Sequence, residues 1–340
     1  MNSQLRTSLA ALLVLTGACG DSGSGDTADT AAVDVTPADT GDAVDDTTPV
    51  DSTPADTTVA DTTVADTTVA DTTVAAAPAT LGGDRPASVY YPADYGGGRT
   101  WPLVILLHGY GASGLIEDYY LGFHAAATAA GYVAVVPEGT VDGSGKQFWN
   151  ADPSWCCNFG QSAVDDEGYL LGLVADAAAQ LPVDPARVYL FGHSNGGFMA
   201  HRVACDHADV VAGVASLAGS LALAPADCAP SGPVTVLQIH GTLDDTIRYS
   251  GEVGKYPGAV EIATRWAGHD GCDADPTLGA AADYDDAVAG DEATPETWGG
   301  CDAGAAVGLW TLTGGGHIPT VTEAFLPAVF AFFEAHQRTR

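Results

Sequence analysis

Positive charge is what this chain has least of. Lysine and arginine supply 11 of 340 residues against 44 aspartates and glutamates, leaving a formal net charge of −33. A surface so short of cations has little to offer phosphate backbones or anionic headgroups, which excludes nucleic acid and acidic membrane surfaces as partners. Long apolar runs are missing as well, and the stretch Leu9–Leu15 is too short to span a bilayer. The cysteines form no Cys-x-x-Cys pair and have no nearby histidine spacing, which speaks against zinc. Neither a metal nor an organic cofactor is expected.

What is there divides unevenly. Residues 1–19 place Arg6 before an apolar segment and the small residues Gly17 and Ala18, the anatomy of a secretion signal. Cys19 ends it as the cysteine of a bacterial lipobox does, although Thr16 departs from that pattern; lipidation at Cys19 and ordinary cleavage nearby are the two readings. A secreted or cell-surface location follows, with a membrane reached only through an N-terminal lipid anchor. Residues 20–78 hold 13 aspartates, no lysine, arginine or aromatic residue, and four successive Ala-Asp-Thr-Thr-Val repeats from Ala55 to Val74. A five-residue period suits neither helix nor strand, so a disordered acidic tether is expected, with a random-coil reach of about 45 Å. Residues 79–340 keep 31 acids and ten bases, enough chain for one catalytic domain.

Within that domain Arg187–Phe191 has the pattern of a buried strand and runs into Gly192-His193-Ser194-Asn195-Gly196. A Gly-x-Ser-x-Gly between strand and helix is a nucleophile elbow, with Ser194 raised from the sheet edge. A serine hydroxyl needs a base and a group that orients the base. Asp244 and Asp245 follow the strand Val234–Ile239, and His317 follows the strand Val307–Leu312 and three glycines. The order Ser194, Asp244, His317 is that of an α/β-hydrolase triad, with Asp244 preferred over Asp245. The strand Leu103–Leu107 enters His108-Gly109-Tyr110-Gly111, which assigns the oxyanion hole to the N–H groups of Tyr110 and Asn195. His108, His193 and His240 adjoin strand ends and are expected to make structural hydrogen bonds.

Apolar runs at 88–91, 103–107, 132–136, 188–191, 211–217, 234–239 and 307–312 alternate with helical stretches around 121–130, 165–180, 196–205, 260–269 and 322–336. Alternating β and α units predict an α/β-hydrolase fold, a mainly parallel sheet covered on both faces. Asp165 and Asp166 head the longest helix, where N-capping is expected of them. Eight acids with no base among them lie from Asp273 to Glu296 and predict a solvated insertion rather than a calcium loop, no EF-hand spacing being present. Six cysteines remain past Cys19, an even number that in an exported chain predicts three disulfides. Sequence leaves their connectivity open; the preferred set is Cys205–Cys228, Cys272–Cys301 and, by elimination, Cys156–Cys157.

Trp101-Pro102 to Gly111, Val136–Thr140, Trp149-Asn150, Cys156-Cys157, Val164–Asp166, Val183–Tyr189, Gly192–Gly197, His240-Gly241-Thr242 and Gly314–His317 resemble the secreted polyhydroxybutyrate depolymerase and feruloyl esterase group of carbohydrate esterases. The resemblance covers nearly all of residues 80–340 apart from the acidic insertion. It implies carboxylic-ester hydrolysis by Ser194, Asp244 and His317 on feruloyl or acetyl polysaccharide esters or hydroxyalkanoate polyester oligomers. No binding module is expected after the catalytic domain, and soluble esters or oligomers are expected over crystalline polyester. Trp149 and Trp155 are placed either as an aromatic wall for the substrate or as packing beside the disulfide. Two rival readings are a serine peptidase of the same fold and a surface-tethered binding protein without catalysis.

Overall fold

The computed structural model describes residues 77–151 and 156–339. The secretion signal with Cys19, the repeat tether up to residue 76 and Trp155 lie outside the described residues.

Fourteen strands are described. Ten of them form one sheet: β1 (Thr80–Leu81), β2 (Ala87–Tyr90), β3 (Trp101–Leu107), β4 (Val133–Val136), β7 (Val183–His193), β8 (Gly213–Leu217), β9 (Thr235–Gly241), β12 (Thr277–Leu278), β13 (Ala293–Trp298) and β14 (Val307–Leu312). Two small antiparallel ribbons complete the set, β5 (Thr140–Val141) with β6 (Gln147–Phe148) and β10 (Gly251–Glu252) with β11 (Tyr256–Pro257). The sheet order is β1-β2-β4-β3-β7-β8-β9-β14-β13-β12. The central block from β4 to β14 is parallel, and antiparallel strands close both edges.

A strand buried on both faces has no polar side to alternate with, which is why 103–107 is a continuous apolar run. The period of two survives in where each side chain goes. Leu103, Ile105 and Leu107 enter one core layer while Val104 and Leu106 enter the other. The first layer packs under α3 (Asp166–Gln180), α4 (Asn195–Asp206) and α5 (Ala259–His269), and the second under α1 (Gly114–Leu121), α2 (Phe123–Ala129) and α6 (Phe325–Ala335).

Three expectations need correction or extension. The helix expected around 121–130 is α2, and a further helix, α1, precedes it across Gly122, which takes φ 68°. That further helix was hidden because its Glu117 and Asp118 are buried, which breaks the polar stripe an amphipathic pattern requires. The run from Asp273 to Glu296 is largely exposed, as expected of a solvated insertion, but it does more than face water. It supplies β12 and most of β13, extends the sheet edge, and buries Tyr284, Asp285 and Glu292. A polar side chain can be buried when its hydrogen bonds are met, and Asp285 Oδ1 accepts from the N–H groups of Thr320 (2.8 Å) and Ala287 (3.0 Å). Of the two aspartates heading α3, Asp165 does cap it, accepting from Gly168 N–H at 2.8 Å. Asp166 does not: it is buried, 2.6 Å from Arg85, and accepts from Asn150 N–H at 2.8 Å.

The six described cysteines are paired as Cys205–Cys228, Cys272–Cys301 and Cys156–Cys157. The first pair fastens the end of α4 to the loop before β9, and the second joins the loop after α5 to the loop before β14.

Candidate active site

β7 ends at His193, and α4 starts at Asn195, leaving a single residue for the reversal. That residue, Ser194, has φ 54° and ψ −118°, a conformation that costs a non-glycine side chain energy and persists only where packing enforces it. Glycine on either side makes the enforcement possible. A Cβ on Gly192 would lie 2.1 Å from Gly196 O, and one on Gly196 would lie 2.1 Å from Leu107 O. Strand, helix and the end of β3 therefore meet with no room for side chains.

The parallel strands β9 and β14 are neighbours, so the loops after them emerge side by side. His317 Nε2 stands 2.9 Å from Ser194 Oγ, and His317 Nδ1 stands 2.7 Å from Asp244 Oδ2. With the proton on Nδ1, the ring donates to the carboxylate and accepts from the serine hydroxyl. Asp244 Oδ1 is occupied by the N–H groups of Thr246 (2.9 Å) and Ile247 (2.8 Å), which fix the carboxylate plane. Asp245, one residue on, is exposed at the pocket, and the carboxylate that meets His317 Nδ1 is that of Asp244.

Electrostatics suit that arrangement. Burial works against a charge on Asp244, but hydrogen bonds from His240 and His317 outweigh it and hold the carboxyl well below the usual range. Burial lowers the His317 pKa, Asp244 raises it, and the neighbouring His193 lowers it; the net effect is downward. An imidazole so placed is neutral, and able to take a proton, at neutral pH.

The other histidines sit in structural hydrogen bonds. His108 Nδ1 contacts Gly109 O at 2.8 Å and its Nε2 accepts from Gly139 N–H at 2.8 Å. His240 Nε2 donates to Ile247 O at 2.6 Å, and its Nδ1 accepts from Gln238 Nε2 at 3.1 Å. His193 joins Glu117 Oε1 (2.8 Å) to the main-chain oxygen of His317 (3.1 Å).

The His-Gly-Tyr-Gly loop lies against the nucleophile, since a Cβ on Gly109 would be 3.5 Å from Ser194 Cβ. Asn195 is locked by its side chain, Oδ1 accepting from Trp149 N–H (2.7 Å) and Nδ2 donating to Trp149 O (2.9 Å) and Cys156 O (3.2 Å). That clamp puts Trp149 in the core, fully buried and off the pocket wall, so its reading as a substrate wall is corrected to packing.

A cleft of about 360 Å³ opens over Ser194 and His317. Its aromatic side comes from residues that sequence reasoning did not single out for this purpose. The Tyr110 ring meets Phe159 edge-on at 5.4 Å, Phe159 is 60% exposed, and the Cys156–Cys157 pair adjoins them. Tyr110 is held by its hydroxyl, which donates to Asp142 Oδ2 at 2.6 Å. Asp245, Arg248, Glu252 and Lys255 also line the cleft, so in a strongly acidic domain the cleft's own charges balance.

Comparison with known proteins places this geometry. Residues 96–257 match the sequence model of the phospholipase/carboxylesterase family. Over 241 residues the chain is 34% identical to NocK, an inferred esterase of Nocardia uniformis subsp. tsuyamanensis, covering 67% of this chain and 68% of that protein. The chain belongs to the phospholipase/carboxylesterase family. This carboxylesterase is also 29% identical over 250 residues to feruloyl esterase B of Piromyces equi, covering 68% of its own length but 42% of that protein's. The acetyl xylan esterase of Aspergillus awamori superposes on 73% of the chain and 94% of its own with a TM-score of 0.54 at 17% identity, which shows a shared α/β-hydrolase fold. The chain is therefore a carboxylic ester hydrolase of the α/β-hydrolase type, as its motif order implied.

Proposed function

We propose that this carboxylesterase is an extracellular serine enzyme acting on feruloyl or acetyl esters of polysaccharide, or on hydroxyalkanoate oligomers, with Ser194, His317 and Asp244 as its triad. The observation that carries the reading is the unbroken line from Ser194 Oγ through His317 to Asp244, with contacts of 2.9 and 2.7 Å. His317 Nε2 takes the hydroxyl proton as Ser194 Oγ bonds to the ester carbonyl carbon, and Asp244 stabilises the imidazolium that results. The negative oxygen is held by the main-chain N–H groups of Tyr110 and Asn195. The carbonyl re-forms, the C–O bond to the alcohol breaks, and the alcohol leaves with the proton from His317. Water, deprotonated by the same imidazole, then attacks the acyl-enzyme and releases the acid and Ser194.

The acyl side of the substrate is assigned to the Tyr110–Phe159 wall, whose aromatic edges and faces suit a feruloyl ring. The name of the Piromyces equi relative is consistent with such a ring. Export through residues 1–19, and a lipid anchor at Cys19, belong to the same proposal; no described helix is long and apolar enough to cross a membrane.

A fluorophosphonate probe tests the nucleophile: the wild type labels and Ser194→Ala does not. A folded wild type that stays unlabelled refutes the triad. Release assays on methyl ferulate, acetylated xylan and hydroxybutyrate oligomers test the substrate class, which falls if only p-nitrophenyl acetate is cleaved.

A further inference from the structure

Behind the nucleophile lies a charged pair to which the proposed reaction gives no role. Glu117 on α1 is wholly buried, and His193 at the end of β7 is 1% exposed. Glu117 Oε2 accepts from Gly109 N–H at 3.2 Å, in the loop beside the proposed oxyanion hole. Its Oε1 stands 2.8 Å from His193 Nδ1, and His193 Nε2 stands 3.1 Å from the carbonyl oxygen of His317. One carboxylate thus ties together the loop after β3, the residue preceding Ser194 and the main chain of His317.

The atoms on either side of the His193 ring settle its protonation. A carboxylate oxygen and a carbonyl oxygen both accept, so both ring nitrogens must donate, and an imidazole that donates at both nitrogens is a cation. We propose that Glu117 and His193 form a buried carboxylate–imidazolium pair that positions His317 through its main-chain carbonyl and keeps its ring neutral by placing a fixed positive charge beside it. The His193 and His317 ring centroids are 5.4 Å apart, close enough in a buried site for the charge to be felt. Both members are positioning residues, and the proposal rests on the triad reading above.

The groups facing the pair are few. Tyr120 on α1 lies with its ring centroid 6.0 Å from that of His193. His108 at the end of β3 acts on Glu117, and Asp244 beyond β9 acts on His193. Burial opposes charge on both members. On His193 the Glu117 charge and hydrogen bond overcome it and the pKa rises above the usual 6.5. On Glu117 the His193 charge and hydrogen bond overcome it and the pKa falls below the usual 4.5. The histidine's stabilising contribution is full below its unfolded value and is lost as pH rises through its raised folded value. The carboxylate's contribution is full above its unfolded value and is lost as pH falls through its lowered folded value. Between those limits the pair is intact.

The test is Glu117→Gln in the full chain, with folding followed by circular dichroism and the site by fluorophosphonate labelling. The substitution keeps the shape, removes the charge and leaves His193 neutral. The expected result is a kcat lower by about tenfold with KM near the wild-type value, because loop position rather than substrate contact is lost. The acid limb of the kcat/KM profile moves to higher pH, because the charge that disfavoured protonation of His317 is gone. Simple destabilisation does not move that limb. Nitrogen-15 NMR of wild-type imidazoles gives a second reading that needs no variant: at about neutral pH both His193 ring nitrogens carry protons. A neutral His193 ring in that spectrum overturns the pair, as does a folded Glu117→Gln enzyme with the wild-type pH profile. Failure of the triad instead shows in Ser194→Ala, as retained turnover or labelling, while the spectrum still decides the pair.

Discussion

The ring of His317 and its main chain meet very different surroundings. The ring faces the cleft, between Ser194 Oγ and Asp244. The main chain leans on His193, and the residues that follow are held by the 273–296 segment: Asp285 accepts from Thr320 N–H, Asp286 N–H donates to Thr320 O, and Thr322 N–H donates to Tyr284 O. Both sides are rich in acid, yet the acids act in opposite ways. Asp244 stabilises a charge that comes and goes during turnover, whereas Asp285 and Glu117 satisfy permanent hydrogen bonds. Removing an acid from the ring side should therefore stop chemistry and leave the fold, and removing one from the main-chain side should loosen the fold and slow the chemistry only indirectly.

Asp244→Asn is the strongest break of that comparison. The amide leaves the geometry but holds the wrong imidazole tautomer, so kcat is expected to fall by roughly 10⁴-fold with little change in thermal midpoint. Asp245→Asn, one residue along but exposed and not the partner of His317 Nδ1, should leave kcat near wild type. Equal losses in the two variants would contradict the assignment of the acid.

Asp285→Ala probes the other side. Two main-chain N–H groups lose their acceptor inside the protein, and an unsatisfied buried donor costs about 1–3 kcal/mol. Urea titration should show that loss, with a smaller fall in kcat. An unchanged urea midpoint would mean that the insertion does not support the histidine loop.

How far each side was legible in the sequence follows the same division. The strands and the elbow declare themselves because they need particular residues: continuous apolar runs for a doubly covered sheet, and Gly192 and Gly196 where no Cβ fits. Ser194, the Asp244–Asp245 turn and His317 were visible through their places after strand ends, but choosing Asp244 needed the turn's path. Glu117 left no mark, because an acid in an eight-residue helix looks solvated until its partner, 76 residues away, folds against it. Asp285 was misread for the same reason: charge in sequence suggests water, and only tertiary hydrogen bonds show otherwise. Phe159 lies in a loop, where no periodicity points to a wall.

That wall supports the smallest prediction. Phe159 touches the Tyr110 ring but neither Ser194 nor His317 in any hydrogen bond, so its removal should be felt by substrates according to their own rings. An edge-to-face aromatic contact contributes about 0.5–1.5 kcal/mol beyond area burial. Phe159→Ala should accordingly raise KM for methyl ferulate by roughly two- to tenfold while leaving the KM of a simple acetyl ester unchanged. The comparison between substrates removes any general damage from the result, since a disturbed triad would lower kcat for both. A parallel rise in both KM values would place the acyl group elsewhere in the cleft, against its charged side at Arg248 and Lys255.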